Sequence, residues 1–186
     1  MANSLNDNEI MENVRDGQVE KLAILFERYH VRVFNFFLRL TGSPAISEDL
    51  VQEVFLRILK YRTTYQGQSK FTVWMYQIAR NAHVDYLRKH KAAFALEDQF
   101  EEPISEEDTP LDFLEKSEDI ALLQHALTKL PLKKREVIVL SRFQNMKYKD
   151  IAEMFGCHVG TIKAHMHRAL KELGKIYVDL QGGTAS

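Results

Sequence analysis

Apolar positions recur every three or four residues along this chain, in blocks that stop at a glycine or proline. That period belongs to amphipathic helices. Over Val19–Leu40 the stripe is Leu22, Leu25, Phe26, Tyr29, Val33, Phe36, Phe37 and Leu40, and Gly42 with Pro44 ends it. Ser47, followed by Glu48 and Asp49, suits the start of a second helix, because a hydroxyl and two anions complement the free N–H groups there. Its stripe is Leu50, Val51, Val54, Phe55, Ile58 and Tyr61. A polar loop, Arg62–Lys70, precedes a third long helix from about Thr72 to Lys91, with Trp74, Met75, Ile78, Ala82 and Tyr86 inward. A short helix at Asn8–Arg15 stands before all three. Further on, helices are predicted at Glu118–Leu130, Leu132–Gln144, Tyr148–Phe155 and Val159–Ile176. No stretch alternates at period two, so the expected fold class is all-α.

Charge divides the chain where the pattern does. Residues 1–93 are net +3, residues 94–118 net −9 and residues 119–186 net +5. Within the acidic part, Glu97–Asp108 has seven acids and no base, a composition that repels itself and buries little. The expected organisation is two small helical domains, 1–93 and 118–178, joined by an acidic flexible linker, 94–117, with a disordered tail at 179–186. The overall charge of −1 therefore hides two basic blocks that suit a nucleic-acid partner. Composition adds exclusions. The 186 residues hold one cysteine, so no disulfide framework or Cys-rich zinc site is expected. The longest apolar runs are five residues, too short to span a bilayer. Five acids and one base in the first twenty residues do not fit a secretory signal. A cytoplasmic protein is expected.

The sharpest local pattern is Lys147–Leu170, KYKDIAEMFGCHVGTIKAHMHRAL. Ile151 and Ala152 face inward on a short helix, and Ala152 is small enough for a second helix to cross closely. Gly156 stands where a tight turn needs positive φ. Ile162, Met166, Ala169, Leu170 and Leu173 then form the buried stripe of the second helix. These offsets describe a helix-turn-helix. Its outer face carries Thr161, Lys163, Ala164, His167, Arg168 and Lys171, a cationic surface suited to a DNA major groove. An αα-hairpin with a solvated basic face is the plainer alternative.

Beyond that motif, the chain resembles a bacterial sigma factor of the extracytoplasmic-function group, in the sigma-70 family. The C-terminal segment from Leu130-Pro131 through the helix-turn-helix resembles sigma domain four. Glu48–Tyr61, EDLVQEVFLRILKY, and Phe71–Lys89, FTVWMYQIARNAHVDYLRK, resemble sigma domain two. Ala164 and His165 stand where the family often has Ser-Arg.

The resemblance implies a set of roles. Asp49, Leu50, Gln52, Glu53 and Phe55 would dock on core RNA polymerase; by charge alone, the same acids also serve the helix dipole. Arg62, Tyr65, Gln66, Gln68 and Lys70, with Arg80, Asn81, Arg88 and Lys89, would read and melt the minus-ten promoter element. Melting needs cations for phosphate and pockets or aromatic faces for unstacked bases. An ordinary polar connection is the plainer alternative for the loop. Trp74 and Phe71 lie on the apolar stripe and are expected in the core. Tyr148, Thr161, Lys163, Ala164, His167, Arg168 and Lys171 would read the minus-thirty-five element. Core RNA polymerase and promoter DNA are the implied partners, and an anti-sigma factor is implied by resemblance only.

Other chemistry is not supported. His158, His165 and His167 do not share the one-turn spacing of helical metal ligands, so no metal is expected. Cys157 suits a small buried filler. No convergent Glu-x-x-His pair or nucleophile constellation points to an enzyme, a cofactor or a small-molecule substrate. A stand-alone helix-turn-helix regulator is the competing reading, and it leaves Glu48–Tyr61 and Arg62–Lys89 without a role.

Overall fold

The computed structural model describes residues 6–97 and 114–183, with side chains over 6–90 and 119–182. All the regular structure among them is helical. Helix α1 (Asp7–Arg15) opens with a capping box: Asn6 accepts the Glu9 N–H at 3.0 Å, and the Asn6 N–H donates to the Glu9 carboxylate at 2.9 Å. After one 3₁₀ turn, Val19–Lys21, comes α2 (Leu22–Thr41), and Gly42 ends it in the left-handed region at φ 74°. Helix α3 (Pro44–Tyr61) starts three residues earlier than expected. Ser43 caps it and Pro44 takes the first helical position, where a missing N–H costs nothing. Ser47, expected near the cap, is buried inside the helix and donates to the Ser43 carbonyl at 2.6 Å. A 3₁₀ turn (Arg62–Thr64) and a loop lead to α4 (Phe71–Glu97).

The second set begins with α5 (Leu114–Lys129) and α6 (Leu132–Ile138). The expected helix to Gln144 instead widens into a π turn, Val139–Phe143, with the Gln144 N–H on the Val139 carbonyl at 3.0 Å. Helix α7 (Tyr148–Phe155) and α8 (Val159–Gly183) complete the chain. Helix α8 passes Ile176, so residues 179–183 of the expected disordered tail are helical, while 184–186 lie outside the described residues. Of the expected acidic linker 94–117, residues 94–97 continue α4 and 114–117 begin α5, while 98–113 lie outside the described residues. Among the described residues no helix is long and apolar enough to cross a membrane.

In the first set, α1 contributes Ile10, Met11 and Val14, α2 contributes Leu25, Val33, Phe36 and Phe37, α3 contributes Val54 and Ile58, and α4 contributes Phe71, Met75 and Ala79. In the second, Leu127, Val137, Leu140, Ile151, Ile162, Met166 and Ala169 meet. Leu170, expected on that stripe, is 38% exposed, because the helical twist carries it past Ala169 to the rim.

The two sets pack on each other through polar groups. Arg32 donates to the Gln144 carbonyl at 2.9 Å, and the buried Tyr76 hydroxyl donates to Gln144 Oε1 at 2.6 Å. Arg80 pairs with Glu136 at 3.0 Å and lies over the Phe155 ring. Gln124 donates to the Leu38 carbonyl at 2.8 Å. Arg135 on α6 donates to the carbonyls of Leu40, Thr128 and Leu130, so one guanidinium serves the open C-terminal ends of α2 and α5. Burial holds its pKa down at about 10.

Candidate polymerase and DNA interfaces

Helix α3 presents Asp49 and Gln52 to solvent and half-exposes Glu53. Leu50 and Phe55 face inward, at 3% and 7% exposure, and support this surface from beneath. Glu53 pairs with Arg57 at 2.6 Å, and Arg57 also takes Asp85 of α4 at 2.8 Å. The hydrogen bond from Arg57 holds the Asp85 carboxyl below the usual carboxylate range. Beside Glu48 and Gln52 runs an apolar groove of about 420 Å³, lined by Phe26, His30, Val31, Phe34 and Val51. Phe26 and Val31 remain 37% and 55% exposed. Sequence reasoning missed this groove. Its signal was Val31, an apolar residue off the α2 stripe.

The loop after α3 encloses a pocket of about 140 Å³, lined by Thr64, Tyr65, Gln66, Gly67, Gln68, Ser69 and Trp74. Gln66 and Gln68 are exposed at its rim. Tyr65 is not a free aromatic face: it is 2% exposed, packs on Trp74 with ring centres 5.2 Å apart, and donates to the Ser69 carbonyl at 3.3 Å. Burial, then the nearby Glu12 charge, push its phenol up to about 12. Arg62 folds back on the Leu59 carbonyl at 2.9 Å. Lys70 closes the loop in a 2.7 Å pair with Asp150 of α7. On α4, Asn81, Arg88 and Lys89 are exposed, with Arg88 paired to Asp85 at 3.0 Å. Arg80, expected on that basic face, is turned into the second set by Glu136 and Phe155. Phe71 is buried, as expected, and Trp74 packs against the core as a wall of the pocket.

The last two helices form the turn expected of them. Gly156 adopts φ 61°, ψ 38°, and the Gly156 and Cys157 N–H groups close on the Glu153 and Ala152 carbonyls at 3.1 and 3.0 Å. Cys157 is half-buried and packs on the core. With Ile162, Met166 and Ala169 inward, α8 turns Thr161, Lys163, Ala164, His167, Arg168 and Lys171 outward, all exposed, while Tyr148 on α7 is half-buried. Lys163, Arg168 and Lys171 thus put three exposed cations on the outer side of α8, charge that suits a DNA backbone or base edges.

Family models match both sets of helices: "Sigma-70 region 2" covers residues 25–93 and "Sigma-70, region 4" covers residues 120–173. The RNA polymerase sigma factor CarQ of Myxococcus xanthus is 32% identical over 92% of this chain and 97% of its own. The chain belongs to the sigma-70 family, in its extracytoplasmic-function group. Within that group, this sigma factor is 27% identical to SigW of Bacillus subtilis, over 91% of this chain and 96% of the relative. Its fold is that of CnrH solved with the cytosolic domain of CnrY, with a TM-score of 0.70 at 19% identity over 91% of this chain and 96% of the other. It is likewise that of RpoE of Bartonella quintana solved with the anti-sigma factor NepR, with a TM-score of 0.66 at 24% identity over 83% and 94%. As a sigma factor, the protein binds core RNA polymerase and promoter DNA and directs transcription initiation. Its family consists of sigma factors rather than catalysts.

Proposed function

We propose that this sigma factor divides its work among three surfaces. The α3 face of Asp49, Gln52 and Glu53 docks on core polymerase, where acceptors suit basic residues of a partner. Gln66, Gln68 and Lys70, around the Tyr65–Trp74 pocket, take an unstacked base of the minus-ten element and hold the strands apart. Lys163, Arg168 and Lys171 of α8 read the minus-thirty-five element as duplex. The observation that carries this reading is the exposed cationic face of α8, fixed by the Gly156 turn and the buried Ile162, Met166 and Ala169 beneath it. Work in the cytoplasm, without a cofactor, belongs to the same reading. So does control by an anti-sigma factor, supported by the likeness of fold to the sigma factor RpoE solved with the anti-sigma factor NepR.

Transcription in vitro from a cognate promoter with core polymerase, with and without the protein, is the test. Promoter-specific transcripts should appear only with it. Duplex binding by the protein alone, with no effect on polymerase, would instead mark a stand-alone regulator.

A further inference from the structure

The family match to region 2 begins at residue 25, and α1 lies before it. This helix has two faces. Ile10, Met11 and Val14 enter the core, and Asp7 fixes the helix to α2 through Arg28, at 2.7 Å, and the Tyr29 hydroxyl. Asn8, Glu12 and Arg15 fall at i, i+4 and i+7, one stripe of a helix, and all three meet the loop after α3. The Asn8 side chain accepts the Phe71 N–H at 2.8 Å and donates to the Ser69 carbonyl at 3.4 Å. It thus serves a free N–H at the start of α4 and the last turn of the loop at once. Arg15 donates to the Tyr65 carbonyl at 3.4 Å, at the other end of the pocket. Between them, Gly67 sits at φ 69°, and a side-chain carbon there would stand 2.5 Å from the Glu12 carboxylate. Both ends of the pocket are held from α1, and its middle passes close against the same helix.

We propose that α1 is a clamp that gives the minus-ten pocket its shape, with Asn8 and Arg15 as positioning residues for base capture. The proposal rests on the loop's assignment to the minus-ten element. Asn8 and Arg15 need not touch DNA. They hold the Ser69 and Tyr65 carbonyls in place, so the pocket walls stand ready before a base arrives. A loop already ordered loses less conformational freedom on capturing a base, and capture is what offsets the cost of unstacking.

The test compares Asn8→Ala, Asn8→Asp, Arg15→Ala and the loop variant Tyr65→Ala/Gln66→Ala/Gln68→Ala in the full chain with core polymerase. Recruitment to duplex promoter, permanganate reactivity of start-region thymines, and transcription from duplex and pre-melted promoters are measured, along with the thermal midpoint. Asn8→Ala and Arg15→Ala should each lower thymine reactivity by roughly tenfold. Recruitment should stay unchanged, and the pre-melted promoter should restore most of the transcription. Asn8→Asp keeps the acceptor for Phe71 but loses the donor to Ser69, so it should keep the thermal midpoint and still open poorly. If the triple variant itself opens duplex normally, the minus-ten assignment of the loop fails. If the triple variant fails while the Asn8 and Arg15 variants open normally, the clamp is overturned. Equal losses on duplex and pre-melted promoters would also overturn it, since α1 would then serve stability or docking alone. Should Asn8→Ala not fold, the partly exposed Arg15→Ala decides.

Discussion

His83 is 2% exposed, and its Nδ1 has no hydrogen-bond partner among the described residues. Burial, reinforced by the charge of Arg135, lowers its pKa to about 4. An unfolded chain takes up this proton below about pH 6.5, while the folded form refuses it until about pH 4. Stability is therefore lost as pH falls through that window, by about 3 kcal/mol in all. Thermal midpoints at pH 7 and 4.5 should diverge in the natural protein, and the gap should narrow in His83→Gln. On the DNA side, Lys163→Ala and Arg168→Ala should each weaken promoter binding by roughly 1–3 kcal/mol if they reach base edges. If they reach phosphate alone, the loss should be alike on every sequence, with a flatter salt dependence. Promoter affinity measured across salt separates the two cases, and normal affinity in both variants would rule out this face. At this scale the sequence was legible where size and turn geometry decide, as at Gly156 and Ile162. Tyr65 was harder to read, because an aromatic in a polar loop gives no sign that Trp74 covers it.

Helix ends show how local signals compete. Ser47-Glu48-Asp49 has the composition of a helix start, yet Ser43-Pro44 wins, because proline's fixed φ suits the first turn and Ser43 can accept the Ile46 N–H. Ser43→Ala should cost about 1 kcal/mol, read as a lower denaturant midpoint with unchanged slope. Gly156→Ala meets nothing within 4 Å, so only its left-handed backbone resists, again about 1 kcal/mol. The π turn at Val139–Phe143 was illegible, since one widened turn leaves the apolar period almost unchanged. Helix α1 was foreseen as a short helix, but not its purpose. The stripe of Asn8, Glu12 and Arg15 gains meaning only once the fold brings residues some fifty to sixty positions away beside it.

How the two regions meet was beyond the sequence, because their contact is made by residues whose types belong on surfaces: Arg32, Gln124, Arg135, Glu136 and Gln144. Glu136 is 1% exposed, and burial raises its pKa against the pull of Arg80. Arg80→Ala leaves that carboxylate unpaired, and it escapes by taking a proton. The unfolded chain releases that proton at ordinary carboxylate pH, so the folded form loses stability as pH rises. The variant's deficit should accordingly be small at pH 5 and larger at pH 8, approaching the roughly 3–5 kcal/mol of a broken buried pair. A deficit independent of pH would mean that Arg80 acts through its stacking on Phe155 alone.

The ion pair of Lys70 with Asp150 turns into a matter of span. It joins the end of the loop after α3 to the first helix of the helix-turn-helix at 2.7 Å. Promoter elements centred about 25 base pairs apart are separated by about 85 Å of duplex axis. On the proposed assignment of this loop and α8 to the two elements, a molecule folded this way addresses either one but does not straddle both, so occupying a whole promoter would mean parting regions 2 and 4. The Lys70 side chain is 58% exposed, and such a contact is weak enough to yield to salt or to a competing phosphate. Fluorophores at the exposed Thr63 and Lys149, with Cys157 replaced by serine, should show efficient energy transfer in the free protein and a fall once polymerase and promoter are bound.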